Sequence, residues 1–312
     1  MLYSALEHLV CPKCKNDFIL EDEIVQNDKI KTAKLKCSSC DAVYKIIDFI
    51  PRFISDEMYV SSFGDEWHLF KNIKNSKPQM SIDEMKNYLN LEKKDIKGKF
   101  VLEIGSGAGP YLDISSRVYK AKHIFGVDLS RAVDASYENV GEHKNVTIIQ
   151  ADLFNLPFRD ESFDLVYSLG VLHHTPDTKE AFKAISKYVK AKGVVSIWLY
   201  GKYWARKIKC QNWIRKNITS KFSSKQLYRF SKIASYMYWF YKIPIIGDGL
   251  RERFPIAMDE DIEVRALNTF DMYSPTYINY HYLDEVYEWF EEENFTKIQP
   301  SRYVLGMRAT KC

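Results

Sequence analysis

The chain has 312 residues, 46% apolar and 28% charged, with a formal net charge of +4. That composition supplies a sizeable core and excludes long disordered spans, and so small a charge does not by itself argue for nucleic acid. No apolar run reaches the ~18 residues that cross a bilayer, and the short apolar run of Met1 to Val10 contains Glu7 and His8, unlike a signal peptide; the expected compartment is the cytoplasm.

Four of the six cysteines form two knuckles, Cys11-Pro-Lys-Cys14 and Cys37-Ser-Ser-Cys40, with 22 residues between them. Two C-x-x-C pairs at this separation match a four-thiolate zinc ribbon, so Cys11, Cys14, Cys37 and Cys40 are the expected ligands of a structural Zn2+. Two disulfides or unconnected core thiols are the alternatives, and a reducing compartment disfavours the first. Phe18 to Leu35 is mostly strand-like and charged, and Tyr44 and Ile50-Pro51 follow the second knuckle. A C-P-x-C knuckle, a second C-x-x-C, a Tyr and an Ile-Pro resemble the small zinc-ribbon domain related to the Trm112 methyltransferase activator, here over residues 1–54. So short a segment cannot supply a self-sufficient core, which is where a metal staple helps.

Residues 55–97 read as a helical, polar cover: one helix over Tyr59 to Asn72 around Trp67 and Phe70, and a second that Ser81 and Glu84 would open as a capping box. Phe63-Gly-x-Glu-Trp67 is similar to a segment found in many bacterial methyltransferases, which implies that it covers a cofactor. A plain linking helix packed on the core is the other reading.

At Val101-Leu-Glu-Ile104 a short apolar strand runs into Gly105-Ser-Gly-Ala-Gly109. Glycine lets the backbone take positive φ and lets a ligand approach the main chain, so a strand ending in such a turn is a ligand site. Pro110 stands where a dinucleotide fingerprint needs its third glycine, and the G-K-[ST] of a phosphate-gripping loop is absent. The pattern E-x-G-x-G-x-G resembles motif I of the class I S-adenosylmethionine-dependent methyltransferases. A helix over Tyr111 to Tyr119 leads to a second strand, His123 to Asp128, whose terminal acid lies about twenty residues past the glycines, at the reach of a ribose. A helix from Arg131 to Val140, a third strand from Val146 to Gln150 and then Asp152 follow. The resemblance implies that Asp152 accepts from an adenine amino group; its other reading is a turn cap, and that of Asp128 a helix N-cap.

The fourth strand, Phe163 to Ser168, opens into Leu169-Gly-Val-Leu-His173-His174-Thr-Pro-Asp177. This loop resembles motif IV of the ubiquinone/menaquinone methylase-like branch, where it faces the transferred methyl group. Imidazole titrates near neutrality, so His173 or His174 is the candidate catalytic base, with packing or helix capping as the alternative for each. A helix from Thr178 to Lys190 and a fifth strand from Val194 to Tyr200 complete a parallel set. The resemblance implies S-adenosyl-L-methionine as cofactor, held by Glu103, Gly105, Ser106, Gly107, Gly109, Asp128, Leu129, Asp152, Leu153 and Ser168.

Residues 201–282 delay the next helix of that fold. Positions 201–235 carry ten Lys or Arg and no Asp or Glu, interleaved with aromatics, and a dense apolar run continues to Ile246. Three readings stand: a helical lid over the active site, a surface for an anionic membrane and a lipid-linked acceptor through 201–246, or a nucleic-acid surface. Asp271 to His281 resembles the acceptor-side segment of related methyltransferases, which implies Tyr273, Tyr277 and His281 as substrate contacts, with Tyr200 as a further candidate. Residues 283–312 read as an amphipathic helix, Leu283 to Glu293, then strands Phe295 to Gln299 and Tyr303 to Ala309. The expectation is an α/β fold: a Rossmann-like seven-stranded class I methyltransferase sheet over 98–200 and 283–312, with the N-terminal ribbon and a helical insertion after strand 5. The expected activity is methyl transfer to a small-molecule, glycan or lipid-linked acceptor. An RNA base methyltransferase and a non-catalytic partner or activator protein are the rival readings.

Overall fold

The computed structural model describes residues 1–54, 77–203, 205–303 and 305–312. The expected helix around Trp67 and Phe70 lies outside the described residues. After α1 (Tyr3–Leu6), the front of the chain is an antiparallel meander: β1 (Phe18–Gln26), β2 (Lys29–Cys37), β3 (Val43–Ile47) and β4 (Ile50–Arg52). Its tight turns, Asn27-Asp28 and Asp48-Phe49, take positive φ at both residues, the geometry of two-residue hairpins. In β2 Ile30, Ala33 and Leu35 are buried in one core cluster, and Cys37 is buried at the strand's end.

The meander is not a free-standing module. β4 pairs in parallel with β7 (Val146–Gln150) through Arg52 and Gln150. Around that joint Phe53 N–H donates to Gln150 O at 2.7 Å, Val10 N–H to Pro157 O at 2.9 Å, and the Arg52 guanidinium to Gln150 Oε1 and Asp134 Oδ1. Met1, Leu9, Ile30, Leu35, Ile46 and Phe53 belong to the same buried cluster as Phe125, Phe158 and Phe163. One core therefore serves ribbon and sheet, and among the described residues the four ribbon strands join the other seven in one sheet of eleven.

Beyond the ribbon come α2 (Pro78–Leu89), α3 (Lys93–Ile96), β5 (Phe100–Ile104), α4 (Pro110–Asp113, continued by a π turn to Val118) and β6 (His123–Asp128). Next are α5 (Ala132–Val140), β7, β8 (Phe163–Leu169), α6 (Thr178–Ser186) and β9 (Val189–Trp198). The sheet runs β1-β2-β3-β4-β7-β6-β5-β8-β9-β11-β10, with β7, β6, β5, β8 and β9 parallel. β5 and β7 are buried almost throughout, as strands covered on both faces must be. Along β5, Val101 packs with α2 and α4 residues on one face, and Leu102 with the α6 side on the other. After β9, the helices α7 (Ala205–Asn217), α8 (Ser224–Tyr236), α9 (Tyr238–Lys242), α10 (Ile246–Arg253) and α11 (Ile262–Asp271) carry a small core of their own around Leu227, Leu267 and Phe270. α12 (Leu283–Glu292), β10 (Phe295–Pro300) and β11 (Gly306–Lys311) then close the far edge.

Three local expectations change. α2 starts at Pro78, favoured in a first turn, so Ser81 is a buried interior residue and not a cap. α6 ends at Ser186, because Val189 already pairs with Phe163 as the start of β9. The last strand begins at Gly306, since the Tyr303 N–H is held by Asn87 O of α2 at 3.2 Å.

Candidate functional site

Chain order reverses at β5: β6 and β7 lie to one side of it, β8 and β9 to the other. Open α/β sheets bind ligands in the crevice at such a switch point, beyond the carboxyl ends of the strands. A cavity of about 620 Å³ lies there, within the usual size range for small-molecule sites. Gly105, Ser106, Gly107, Asp128, Leu129, Asp152, Leu153, His174 and Tyr200 line it.

The glycine turn is sterically fixed. Gly105 has φ +76°, and a Cβ there would meet Val171 Cγ2 at 2.2 Å, so only glycine fits. Gly107 also has positive φ, and its N–H donates to Asp128 Oδ2 at 2.9 Å. Ser130 donates to Asp128 Oδ1 from its backbone N–H at 2.9 Å and from its hydroxyl at 2.7 Å. Burial raises the Asp128 carboxyl above its usual value, while these bonds pull it down. Asp152 accepts from Phe154 N–H at 3.0 Å, so it caps its turn and lines the cavity together. Ser106 Oγ is buried with no hydrogen-bond partner among the described residues.

Two adjacent histidines have separate surroundings. His174 Nδ1 lies 3.0 Å from the Tyr277 carbonyl. A carbonyl only accepts, so this bond assigns the proton to Nδ1 and the lone pair to Nε2. Burial holds its pKa down at about 4 against the opposing Tyr277 bond, so the ring is neutral at pH 7. His173 is fully buried and outside the cavity lining. It stacks on Tyr200 at 3.8 Å, neither ring nitrogen has a hydrogen-bond partner among the described residues, and burial holds its pKa well below the ordinary value.

Several expected contacts are displaced from the cavity, each for a local reason. Glu103 points to the opposite face of β5 from Ile104 and accepts from the Tyr167 hydroxyl at 2.8 Å; burial pushes it up to about 8. Gly109 makes room for Ser136, whose Oγ a Cβ would approach to 2.7 Å. Ser168 donates to Ile104 O at 3.2 Å, stitching β8 to β5. On the acceptor side, Tyr273 is buried and donates to Pro255 O at 2.7 Å. The Tyr277 carbonyl faces His174 Nδ1, and His281 pairs with Glu285 at 2.9 Å on α12. The cysteines do converge: their sulfur atoms lie within 4.8 Å of one another.

The insertion supplies lining residues that the sequence reading missed: Lys207 of α7, Met258 and Asp259, and Asn268 and Asp271 of α11. Asn268 and Asp271 stand one helical turn apart, and that spacing behind the Asp261 cap is the signal that could have found them. Glu84 joins them from α2, where it accepts from the Tyr111 hydroxyl at 2.5 Å. Among the described lining residues there are five carboxylates, of Glu84, Asp128, Asp152, Asp259 and Asp271, and one lysine. This balance suits a cationic ligand.

Residues 102–197 match the family model described as "Methyltransferase domain". Probable tRNA methyltransferase 9B of Bos taurus is 31% identical over 93 residues, which are 30% of this chain and 19% of that protein. Cycloartenol-C-24-methyltransferase of Arabidopsis thaliana is 26% identical over 159 residues, 50% of this chain and 46% of that protein. A solved S-adenosylmethionine-dependent methyltransferase from Aquifex aeolicus aligns with 80% of this chain and 98% of its own, at 13% identity and a TM-score of 0.43. The chain thus spans from a fifth to less than half of the length of these curated relatives, whose named acceptors differ. What these findings support for this chain is a methyltransferase domain over residues 102–197, with the acceptor undetermined.

Proposed function

We propose that the chain is an S-adenosylmethionine-dependent methyltransferase acting on a small-molecule or lipid-linked acceptor. The observation that carries this reading is one cavity joining the Gly105–Gly107 turn, Asp128 and Asp152 at one end to His174, Tyr200 and Asp271 at the other. Its volume, its excess of carboxylates and a Ser106 hydroxyl without a partner among the described residues fit a cationic nucleoside. Gly107 and Ser130 take three of the about four lone-pair sites of the Asp128 carboxylate, and the one left on Oδ2 would accept from a ribose hydroxyl. Asp152 would accept from the adenine amino group, and the Gly105–Gly107 backbone would meet the amino-acid tail. When bound, the cofactor supplies an electrophilic methyl on a sulfonium whose thioether leaving group needs no acid. The chain therefore aligns the acceptor, excludes water and takes one proton.

His174 is placed for the proton: its Tyr277 bond puts the ring's own proton on Nδ1, which makes Nε2 the basic atom, and its ring borders the cavity. Tyr200, backed by His173, would fix the acceptor's position, with Met258, Met272 and Trp198 giving that end an apolar wall. We assign the four cysteines to a structural Zn2+ in a Trm112-like ribbon. Sulfur separations of 3.7, 3.3 and 3.6 Å are close to the ~3.8 Å edge of a tetrahedron with ~2.3 Å Zn–S bonds.

The test is transfer of label from methyl-labelled S-adenosylmethionine into fractionated small molecules, lipids and RNA. Label is expected in a small-molecule or lipid fraction, and His174→Ala should lower kcat about 100-fold or more without changing cofactor affinity. Label in RNA alone would overturn the acceptor class, and full activity of the variant would remove the base.

A further inference from the structure

The insertion exposes an apolar surface that the cavity does not use. Tyr236 is 70% exposed, Trp239 72%, Phe240 56%, Ile243 41%, Ile245 86% and Ile246 57%. Scattered exposed apolar residues need no explanation, but six large ones in so short a stretch mark an interaction surface. The backbone at its tip is strained. Ile245 has φ 69° and ψ −55°, and Ile246 N–H donates to Pro244 O at 2.8 Å, a γ-turn of the rare positive-φ kind at a β-branched residue. Strain of this kind persists where a geometry is required; here it accompanies an isoleucine turned out into solvent.

The surface also has a rigid base. Arg265 of α11 lies 3.7 Å from the Tyr238 ring, and its guanidinium donates to Ser235 O at 2.8 Å. Segment 236–246 is therefore clamped to the helix whose Asn268 and Asp271 line the cavity.

Charge selects the partner. Residues 201–247 carry eleven Lys or Arg and no Asp or Glu, and Lys242 lies over the rings of Tyr238 and Trp239. A second copy would set this cationic region against itself. A single-stranded nucleic acid would stack on the aromatics, but isoleucine offers no flat face to a base. Aliphatic and aromatic side chains framed by lysines are the composition of an interfacial membrane segment, and no described helix is long and apolar enough to cross a bilayer.

We infer that segment 236–246 docks on an anionic bilayer, with Trp239 and Ile245 entering the acyl boundary and the insertion's exposed lysines and arginines, Lys242 among them, meeting the head groups. Docking stands on the exposed segment alone. The further step, that it brings a lipid-borne acceptor to the cavity beside α11, rests on the methyl-transfer reading.

The experiment is co-sedimentation of the full chain with vesicles of phosphatidylglycerol and phosphatidylcholine, or of phosphatidylcholine alone, at low and high salt. S-adenosylmethionine affinity and RNA binding are measured on the same preparations. The chain should sediment with anionic vesicles only, less at high salt, and Trp239→Ser with Ile245→Asp should weaken this at least about tenfold while cofactor affinity stays unchanged. Failure of the wild type to sediment, or equal sedimentation of the variant, overturns docking. So does RNA binding, or a dimer abolished by the variant, in place of vesicle binding. Loss of cofactor binding with vesicle binding intact would overturn the methyl-transfer reading and leave docking standing.

Discussion

Glu103 and His174 show how neighbouring strand ends set opposite proton affinities. Burial pushes Glu103 up to about 8 and holds His174 down at about 4, and it also holds His123 at about 4 and the Met1 amine at about 5. The histidines and the amine bind fewer protons folded than unfolded. The histidines' share of stability is therefore whole above about pH 6.5 and lost as the pH falls toward 4, and the amine's declines from about 8 toward 5. Glu103 has the opposite sign, since its neutral form is favoured in the fold and its contribution fades as pH rises from about 4.5 to 8. Stability should then be nearly level between pH 6.5 and 8 and decline below, as denaturant titrations at several pH values would record. Glu103→Gln keeps the neutral form at every pH, so its stability relative to wild type should climb from pH 4.5 to 8. A pH-independent difference would place the carboxyl outside its buried pairing with Tyr167.

At the scale of elements, the ribbon has consequences beyond itself. Through β4 it pairs with β7, and Lys15 Nζ donates to Leu156 O at 2.9 Å and Phe158 O at 3.3 Å, just beyond Asp152. Metal analysis should find about one zinc per chain. Chelation, or Cys37→Ser, should lower Tm by several degrees or more and weaken cofactor binding, because the loop carrying Asp152 loses its support. Unchanged Tm on complete metal removal would mean that the shared core holds the ribbon without a staple. The convergence of the four cysteines was legible because each pair is written in local spacing. The β4–β7 joint was not, because it pairs residues far apart in sequence, Arg52 reaching Gln150 across 98 positions and Asp134 across 82.

Seen as a whole, the molecule places a glycine turn and two acids from successive strand ends against one face of a helical insertion. The turn, Asp128 and Asp152 were legible because each sits at the end of an apolar strand, where chain order dictates position. Glu103, Ser168 and His173 were misplaced because the alternation of strand faces, or one step along a tight turn, decides between cavity and core. Tyr273, Tyr277, His281 and the missed Lys207, Asn268 and Asp271 depend on how α7 and α11 pack over the sheet, which no local pattern specifies. Titration calorimetry of the full, zinc-loaded chain with S-adenosylmethionine tests that cavity. One molecule should bind per chain, and Asp128→Ala should weaken binding about 10–100-fold, the worth of hydrogen bonds to a charged group. A folded wild-type chain that binds none, or an Asp128→Ala chain that binds as tightly, would contradict it.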